Sequence, residues 1–143
     1  MKKSHAMLLI VVFVVTSLLS ASTPVFGQEQ AEPQTSTAFS VSRIAIAEGV
    51  ENREPVGVSE TFPATTERVY CFIEATNIET DTEVTFAWYH EGTEMRTFSL
   101  PLMEGSRWRT FAYKNLYGQT GNWKVEIKDK TGNSVKSITF KVE

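Results

Sequence analysis

The stretch Ser106-Arg-Trp-Arg-Thr-Phe-Ala-Tyr-Lys114 places two arginines and three aromatic residues on a segment short enough to form one strand. Successive side chains of a strand point to opposite faces. One row of this segment therefore contains Arg107, Arg109, Phe111 and Tyr113, and the other contains Trp108, Thr110 and Ala112. We expect Trp108 to point into a core, because aliphatic partners for it lie in other segments. The arginine row would then lie at or near the surface.

Segments with the same two-residue period surround this stretch. In the clearest of them, Trp123, Val125 and Ile127 alternate with Lys124, Glu126 and Lys128, which is typical of a strand with one dry and one wet face. A similar alternation over residues 84–90 predicts that Trp88 is buried together with Trp123. Further strands are predicted near residues 39–48, 68–77, 95–100 and 138–142, with a short edge strand at 56–58.

These segments predict an all-β fold, namely an immunoglobulin-like antiparallel β-sandwich of about seven strands over residues 38–143. No helix pattern of useful length follows residue 27. Residues 129–133, Asp-Lys-Thr-Gly-Asn, predict a hairpin turn in which Gly132 supplies a positive φ.

Residues 1–27 have the pattern of a cleaved secretory signal peptide. Lys2 and Lys3 form a basic region, and an almost wholly apolar run from Ala6 to Leu19 follows. The run is short for a membrane span, so cleavage after Gly27 or Ala21 is favoured over a retained anchor, with no stable membrane insertion afterwards. Residues 28–37 contain no large apolar side chain and predict a disordered linker. The expected location is outside the cytoplasm, either periplasmic or secreted.

The charge of the mature chain argues against nucleic acid as a partner. Removing residues 1–27 leaves 12 basic and 17 acidic residues, a net charge of −5. Nucleic-acid binding needs a clustered basic footprint, and here the basic residues are dispersed.

Few residues offer catalytic or metal chemistry. His90 is the single histidine after residue 27, which excludes a multi-histidine metal site and leaves one residue for any triad. We expect it at a surface turn, with general-base catalysis as the alternative. Cys71 is the single cysteine, so no intrachain disulfide can form. Its place on an apolar strand row predicts a buried, inert thiol, with an intermolecular disulfide or a redox role as alternatives. No cofactor or metal site and no catalytic residue is predicted.

The candidate ligand-binding residues are Arg107, Arg109 and Tyr113 on the central strand, with Arg53 from a preceding loop. One possibility is that these arginines only cover neighbouring rings or pair with acids across the sheet. The other is that they form a platform for a glycan, a carboxylated polymer or a protein, since Arg and Tyr contribute strongly to interfaces.

A family resemblance rests on several motifs in a fixed order. These are Arg53-Glu-Pro55, Trp88-Tyr-His90, Arg107-Trp-Arg-Thr110, Gly121-Asn-Trp-Lys-Val125, Asp129-Lys-Thr-Gly132 and Phe140-Lys-Val142. Their succession, over roughly residues 42–142, resembles a bacterial domain family of unknown function, number 2914 in the domain-of-unknown-function series. The resemblance implies a β domain of exported or envelope proteins and supplies no activity. This chain lacks the histidine expected near Phe86 and the serine expected near Ala112.

The sequence therefore predicts a non-catalytic exported binding or interaction module of the cell envelope, whose partner is an envelope protein or a glycan. A structural accessory domain beside a protein partner is the first alternative. An enzyme of unfamiliar type is the second.

Overall fold

The computed structural model describes residues 38–143, which form nine strands. Their bounds are β1 Ser40–Glu51, β2 Glu54–Val58, β3 Thr61–Phe62, β4 Arg68–Ile78, β5 Thr82–His90, β6 Thr93–Leu102, β7 Gly105–Asn115, β8 Gly121–Lys128 and β9 Ser134–Val142. The predicted signal peptide and linker, residues 1–27 and 28–37, lie outside the described residues. Within residues 38–143, no helix has the length and apolarity needed to cross a bilayer.

The strands form two sheets that pack face to face. Sheet A has the order β2-β1-β4-β7, and sheet B has the order β3-β9-β8-β5-β6. Neighbouring strands are antiparallel except for β3 and β9, which are parallel. The chain changes sheet five times: before and after β3, between β4 and β5, between β6 and β7, and between β7 and β8. Such crossovers between two packed sheets are typical of immunoglobulin-like sandwiches. The predicted fold class is confirmed.

Two short strands account for the difference between the predicted and observed strand numbers. β2 contains the edge strand predicted at 56–58. β3 has only two residues, too few for an alternating pattern, and Pro63 follows it directly.

The centre of the core contains both predicted tryptophans. Trp88 on β5 and Trp123 on β8 are buried, and Phe140 on β9 contacts both rings. Its ring stacks on Trp123 at 5.9 Å and meets Trp88 edge-on at 6.3 Å. Such contacts add roughly 0.5 to 1.5 kcal/mol to the stabilisation that burial provides. The expected burial of Trp88 and Trp123 is confirmed.

The prediction that Trp108 is buried in the core was wrong. Trp108 lies opposite Ala75 on β4, and Ala75 belongs to the core row, so the side chain is on the predicted face. However, 38% of its surface is exposed. Ala112, four residues later on the same row, is buried. The start of β7 therefore extends past the well-packed part of the core, which a periodic pattern cannot reveal.

Cys71 occupies the core row of β4 and is buried. Burial among apolar side chains raises the pKa of its thiol well above the ordinary value, because the thiolate cannot be solvated there. These observations confirm the predicted buried thiol.

The turn between β8 and β9 also forms as predicted. Asp129 Oδ1 accepts hydrogen bonds from the main-chain N–H groups of Thr131 (3.0 Å) and Asn133 (2.9 Å). Gly132 has a φ of 90°, which glycine adopts without strain. Burial opposes ionisation of Asp129, but the hydrogen bonds outweigh it and hold the pKa of this carboxyl below its usual value.

Candidate functional site

The predicted arginine row lies on the outer face of sheet A. Arg107, Arg109, Phe111 and Tyr113 on β7 are opposite Thr76, Glu74, Phe72 and Tyr70 on β4. Residues directly opposite each other in an antiparallel pair share a face. Phe111 and Tyr113 remain 41% and 44% exposed. The expectation that this row lies at or near the surface is confirmed.

Arg109 is the centre of an ion-pair network that spans all four strands of sheet A. Its Nε donates to Glu74 Oε2 at 2.8 Å, and its guanidinium also pairs with Glu54. Glu54 pairs in turn with Arg43 at 3.1 Å, and Ser42 Oγ donates to Glu74 Oε1 at 2.9 Å. The two carboxylates neutralise Arg109, so its first role is to hold the sheet together.

This network places the turn between β1 and β2 above the outer face of sheet A. Glu54, the first residue of β2, reaches Arg109 on β7 although β1 and β4 lie between those strands. Phe72, on the outer row of β4, is buried, and the Arg43 guanidinium of this network lies over its ring at 5.3 Å. The turn itself consists of Asn52 and Arg53, both with positive φ, as in a type I′ hairpin.

Acidification provides a test of the network. The hydrogen bonds from Arg109 and Ser42 hold the pKa of Glu74 below its ordinary value of 4.5. The stabilisation is therefore complete above the ordinary value and is lost as the pH falls through the lowered one. We expect urea unfolding midpoints to drop between about pH 5 and about pH 2, and Glu74→Gln to reduce this drop and to lower stability at pH 7.

An exposed carboxyl offers the matched control. Glu79→Gln, in the turn between β4 and β5, should leave the acid limb parallel to that of the wild type. If Glu74→Gln and Glu79→Gln have the same pH profile, the network contributes nothing to acid sensitivity.

A cleft of about 370 Å³ lies between the β1–β2 turn and β7. Its lining consists of Arg53, Phe72, Arg107, Trp108, Arg109, Thr110 and Phe111. Within residues 38–143, neither Arg53 nor Arg107 has a carboxylate within 4 Å, in contrast to Arg109. The cleft therefore combines two unpaired guanidinium groups with exposed aromatic surface from Trp108 and Phe111.

The structure brings together three of the four predicted binding residues. Arg53, Arg107 and Arg109 line the cleft, whereas Tyr113 lies further along the outer row. The Tyr113 ring contacts Tyr70 at 5.8 Å and lies under the Arg68 guanidinium at 4.1 Å. Phe111 lines the cleft in place of Tyr113. It belongs to the same row, so the alternation of β7 already contained the signal.

His90 is packed against the core at the end of β5. Its ring stacks on Trp123 at 4.4 Å, and Nε2 lies 2.7 Å from the carbonyl oxygen of Thr120. Since a carbonyl only accepts, Nε2 carries the proton and donates it. These contacts hold the loop before β8 against the core, a role that the sequence did not indicate. Among residues 38–143, no group of three or more His, Cys, Asp or Glu side chains is placed to hold a metal ion.

A second cleft, of about 600 Å³, lies on the outer face of sheet B and was not predicted. Tyr89, Lys124 and Lys141 are among its lining residues. Lys124 Nζ lies 4.6 Å from the centre of the Tyr89 ring and 3.8 Å from Glu126, and Lys141 pairs with Glu143 at 2.8 Å. Both lysines are thus compensated by nearby acids, which makes this cleft a weaker anion site than the arginine-lined one.

Comparison with known proteins identifies one family. Residues 81–142 match the model of a protein family of unknown function (DUF2914). The match contains β5 to β9 and confirms the predicted resemblance over that range, while Arg53-Glu-Pro55 lies outside it. No curated protein matches the chain. Among solved structures it is similar to a selenomethionine-labelled β-glucosidase from Kluyveromyces marxianus, with a TM-score of 0.46 and 11% identity over 75% of this chain and 14% of that chain.

Proposed function

We propose that this chain, whose residues 81–142 match the model of the DUF2914 family of proteins of unknown function, acts as a non-catalytic exported binding or interaction module of the cell envelope. The observation that carries the proposal is the cleft in which Arg53 and Arg107 lie without acidic partners within residues 38–143 beside exposed aromatic surface. The chain is acidic overall, so this local excess of guanidinium groups is the feature that an anionic ligand would meet.

The chemistry of the cleft favours a carboxylated ligand. A guanidinium binds a carboxylate through two parallel hydrogen bonds, and these charge-assisted bonds are stronger than neutral ones. The exposed faces of Trp108 and Phe111 can contact a sugar ring or an apolar side chain next to that carboxylate. An acidic glycan, a carboxylated cell-wall polymer and an acidic segment of an envelope protein all combine these two features.

Arg107→Ala is expected to weaken binding of an acidic glycan by about 10-fold to 100-fold, since hydrogen bonds to charged groups contribute roughly 1.5 to 3 kcal/mol. Polygalacturonic acid is the probe, dextran is the uncharged comparison, and isothermal titration calorimetry measures the affinity. The protein is purified in the processed form that its host produces, and its intact mass reports whether residues 1–27 have been removed.

Arg96→Ala is the matched control for the loss of charge. Arg96 lies on β6 over the ring of Phe98 and is not part of the cleft. Equal weakening by both variants would indicate only nonspecific electrostatics. If polygalacturonic acid, purified peptidoglycan and envelope extracts all fail to bind the wild type, the proposal is wrong.

The neutralised Arg109 favours the first alternative, a structural accessory domain. Its partners Glu54 and Glu74 show that part of the row stabilises the sheet. For such a domain we expect one protein to co-purify from envelope extracts, with no binding to purified polymers. An enzyme would require hydrolase turnover that disappears in His90→Ala.

A further inference from the structure

β7 is the least protected edge of the sandwich. Sheet A ends at β2 and β7, and sheet B ends at β3 and β6. β2 is short and contains Pro55 and Gly57, β3 has two residues, and β6 contains Pro101 and meets β5 through a bulge. Proline, bulges and shortness are the usual devices that keep an edge from pairing with another chain. β7 has eleven residues with no proline and no register shift against β4 over residues 107–115.

The main chain of β7 presents its odd-numbered residues to the open edge. The N–H of Leu116 donates to the carbonyl of Glu67 on the β4 side, at 2.9 Å. In an antiparallel ladder the hydrogen-bonding direction alternates from residue to residue. Arg107, Arg109 and Phe111 therefore direct their N–H and C=O groups away from β4. Within residues 38–143, no other strand pairs with them.

The cleft described above reaches this edge. It is lined by five consecutive residues of β7, from Arg107 to Phe111. All five residues belong to the edge strand of sheet A, so the cleft runs along β7. The main-chain groups of β7 without a strand partner and the arginine-lined cleft therefore lie on the same strand.

The sequence of β7 is complementary to itself in one register. If a second β7 pairs antiparallel about a two-fold axis at Thr110, Arg107 lies opposite Tyr113 and Arg109 lies opposite Phe111. Arg107, which has no acidic partner within residues 38–143, then lies opposite the half-exposed ring of Tyr113, and no like charges face each other in this register. On the other face, the half-exposed Trp108 lies opposite the small Ala112.

Neighbouring registers are less favourable. An axis at Trp108 places Arg107 opposite Arg109, and an axis at Arg109 places that residue opposite itself, so both set like charges against each other. An axis at Phe111 places Arg107 opposite Asn115 and Trp108 opposite the buried Lys114.

We propose that the chain forms a symmetric homodimer in which the β7 strands of two copies pair antiparallel about Thr110, joining the two A sheets into one. Strand addition extends a sheet in its own plane, so the outer face that carries Arg53 and Arg107 stays open. The second copy's Tyr113 then lies beside Arg107. In a single chain, Tyr113 lies apart from the arginines of the cleft. In the dimer, the second copy's Tyr113 joins those arginines and completes the platform. The proposal does not depend on the identity of the ligand.

Disulfide trapping tests the register directly. In the proposed pairing the two Thr110 residues form a non-hydrogen-bonded pair, with Cα atoms about 4.5 Å apart, within the range that a disulfide spans. We expect Thr110→Cys to yield mostly disulfide-linked dimer on a non-reducing gel after mild oxidation. Thr97→Cys, an exposed position on β6, should remain mostly monomeric. The native Cys71 is buried and should not react.

Sedimentation equilibrium of the wild type tests whether the dimer forms without a cross-link. A single strand pair is a small interface, so we expect a dissociation constant of about 10 to 100 µM. Phe111→Pro should abolish dimerisation, because it removes an N–H that faces the open edge and leaves the β4 ladder intact. Phe111→Ala, which keeps that N–H, should weaken it less.

Two results would overturn the proposal. One is equal cross-linking of Thr110→Cys and Thr97→Cys. The other is a wild-type protein that is monomeric up to about 500 µM, several times the expected dissociation constant. Should Phe111→Pro fail to fold by near-ultraviolet circular dichroism, the cysteine comparison decides. Loss of glycan binding with an intact dimer would contradict the proposed ligand alone, so the two proposals fail separately.

Discussion

Trp88→Ala is expected to lower the free energy of unfolding by about 3 to 5 kcal/mol, because truncating a buried aromatic residue loses its transfer energy and leaves a cavity. Trp88 lies on the core row of β5, is fully buried and contacts Phe140 edge-on. A domain of this size is stable by roughly 5 to 15 kcal/mol. The variant would therefore retain little stability, and a substantial fraction of its molecules would be unfolded or close to unfolding. Urea denaturation followed by circular dichroism measures the change.

Trp88→Phe keeps an aromatic ring in the core and removes the indole N–H. The Nε1 of Trp88 is buried and has no hydrogen-bond partner within residues 38–143, whereas that of Trp123 donates to the carbonyl of Gln119 at 3.1 Å. An unsatisfied buried donor costs free energy in the folded state. We therefore expect Trp88→Phe to cost clearly less than Trp123→Phe. The opposite order would show that indole volume, and not the N–H, decides the cost at both positions.

Gly121→Ala is expected to cost about 1 to 3 kcal/mol, since it forces a side chain into a backbone conformation that L-residues rarely adopt. Gly121 begins β8 with a φ of 113°, and a β-carbon there would overlap Oε1 of Glu91. That same oxygen accepts the N–H of Asn122 at 2.6 Å. This contact gives a physical reason for the glycine of the Gly121-Asn-Trp-Lys-Val125 motif. Thermal unfolding of the variant measures the loss.

A double-mutant cycle distinguishes backbone strain from the clash. Glu91→Ala removes the overlapping carboxylate and keeps a β-carbon at a residue whose φ is already 48°. If the clash dominates, Gly121→Ala should cost much less in the Glu91→Ala background than in the wild type. If strain dominates, the two costs should be equal.

The architecture could be predicted from residues whose environment depends on their own strand. Trp88 and Trp123 lie on the apolar rows of alternating strands, and those rows face the core, so period and burial agree at both positions. Trp108 follows the same rule for facing but not for burial, because its burial depends on how far the opposite sheet extends. β3 could not be predicted, since two residues have no period.

The candidate site depended on contacts between segments that are distant in sequence. The row of Arg107 and Arg109 was predictable from alternation, but the difference between them was not. Arg109 is neutralised because Glu74 lies directly opposite it and because the β1–β2 turn brings Glu54 across the sheet. Those positions follow from strand register and from the path of the turn, which a single sequence does not specify.

The position of β9 has a consequence for how the protein is made. This strand is the last in the sequence but lies inside sheet B, paired with β8 on one side and with β3 on the other, and it supplies Phe140 to both tryptophans. In a nascent polypeptide that has not yet reached residue 134, β3 and β8 lack the strand that pairs with both of them, and Trp88 and Trp123 lack the ring of Phe140. The sandwich therefore cannot close progressively during translation.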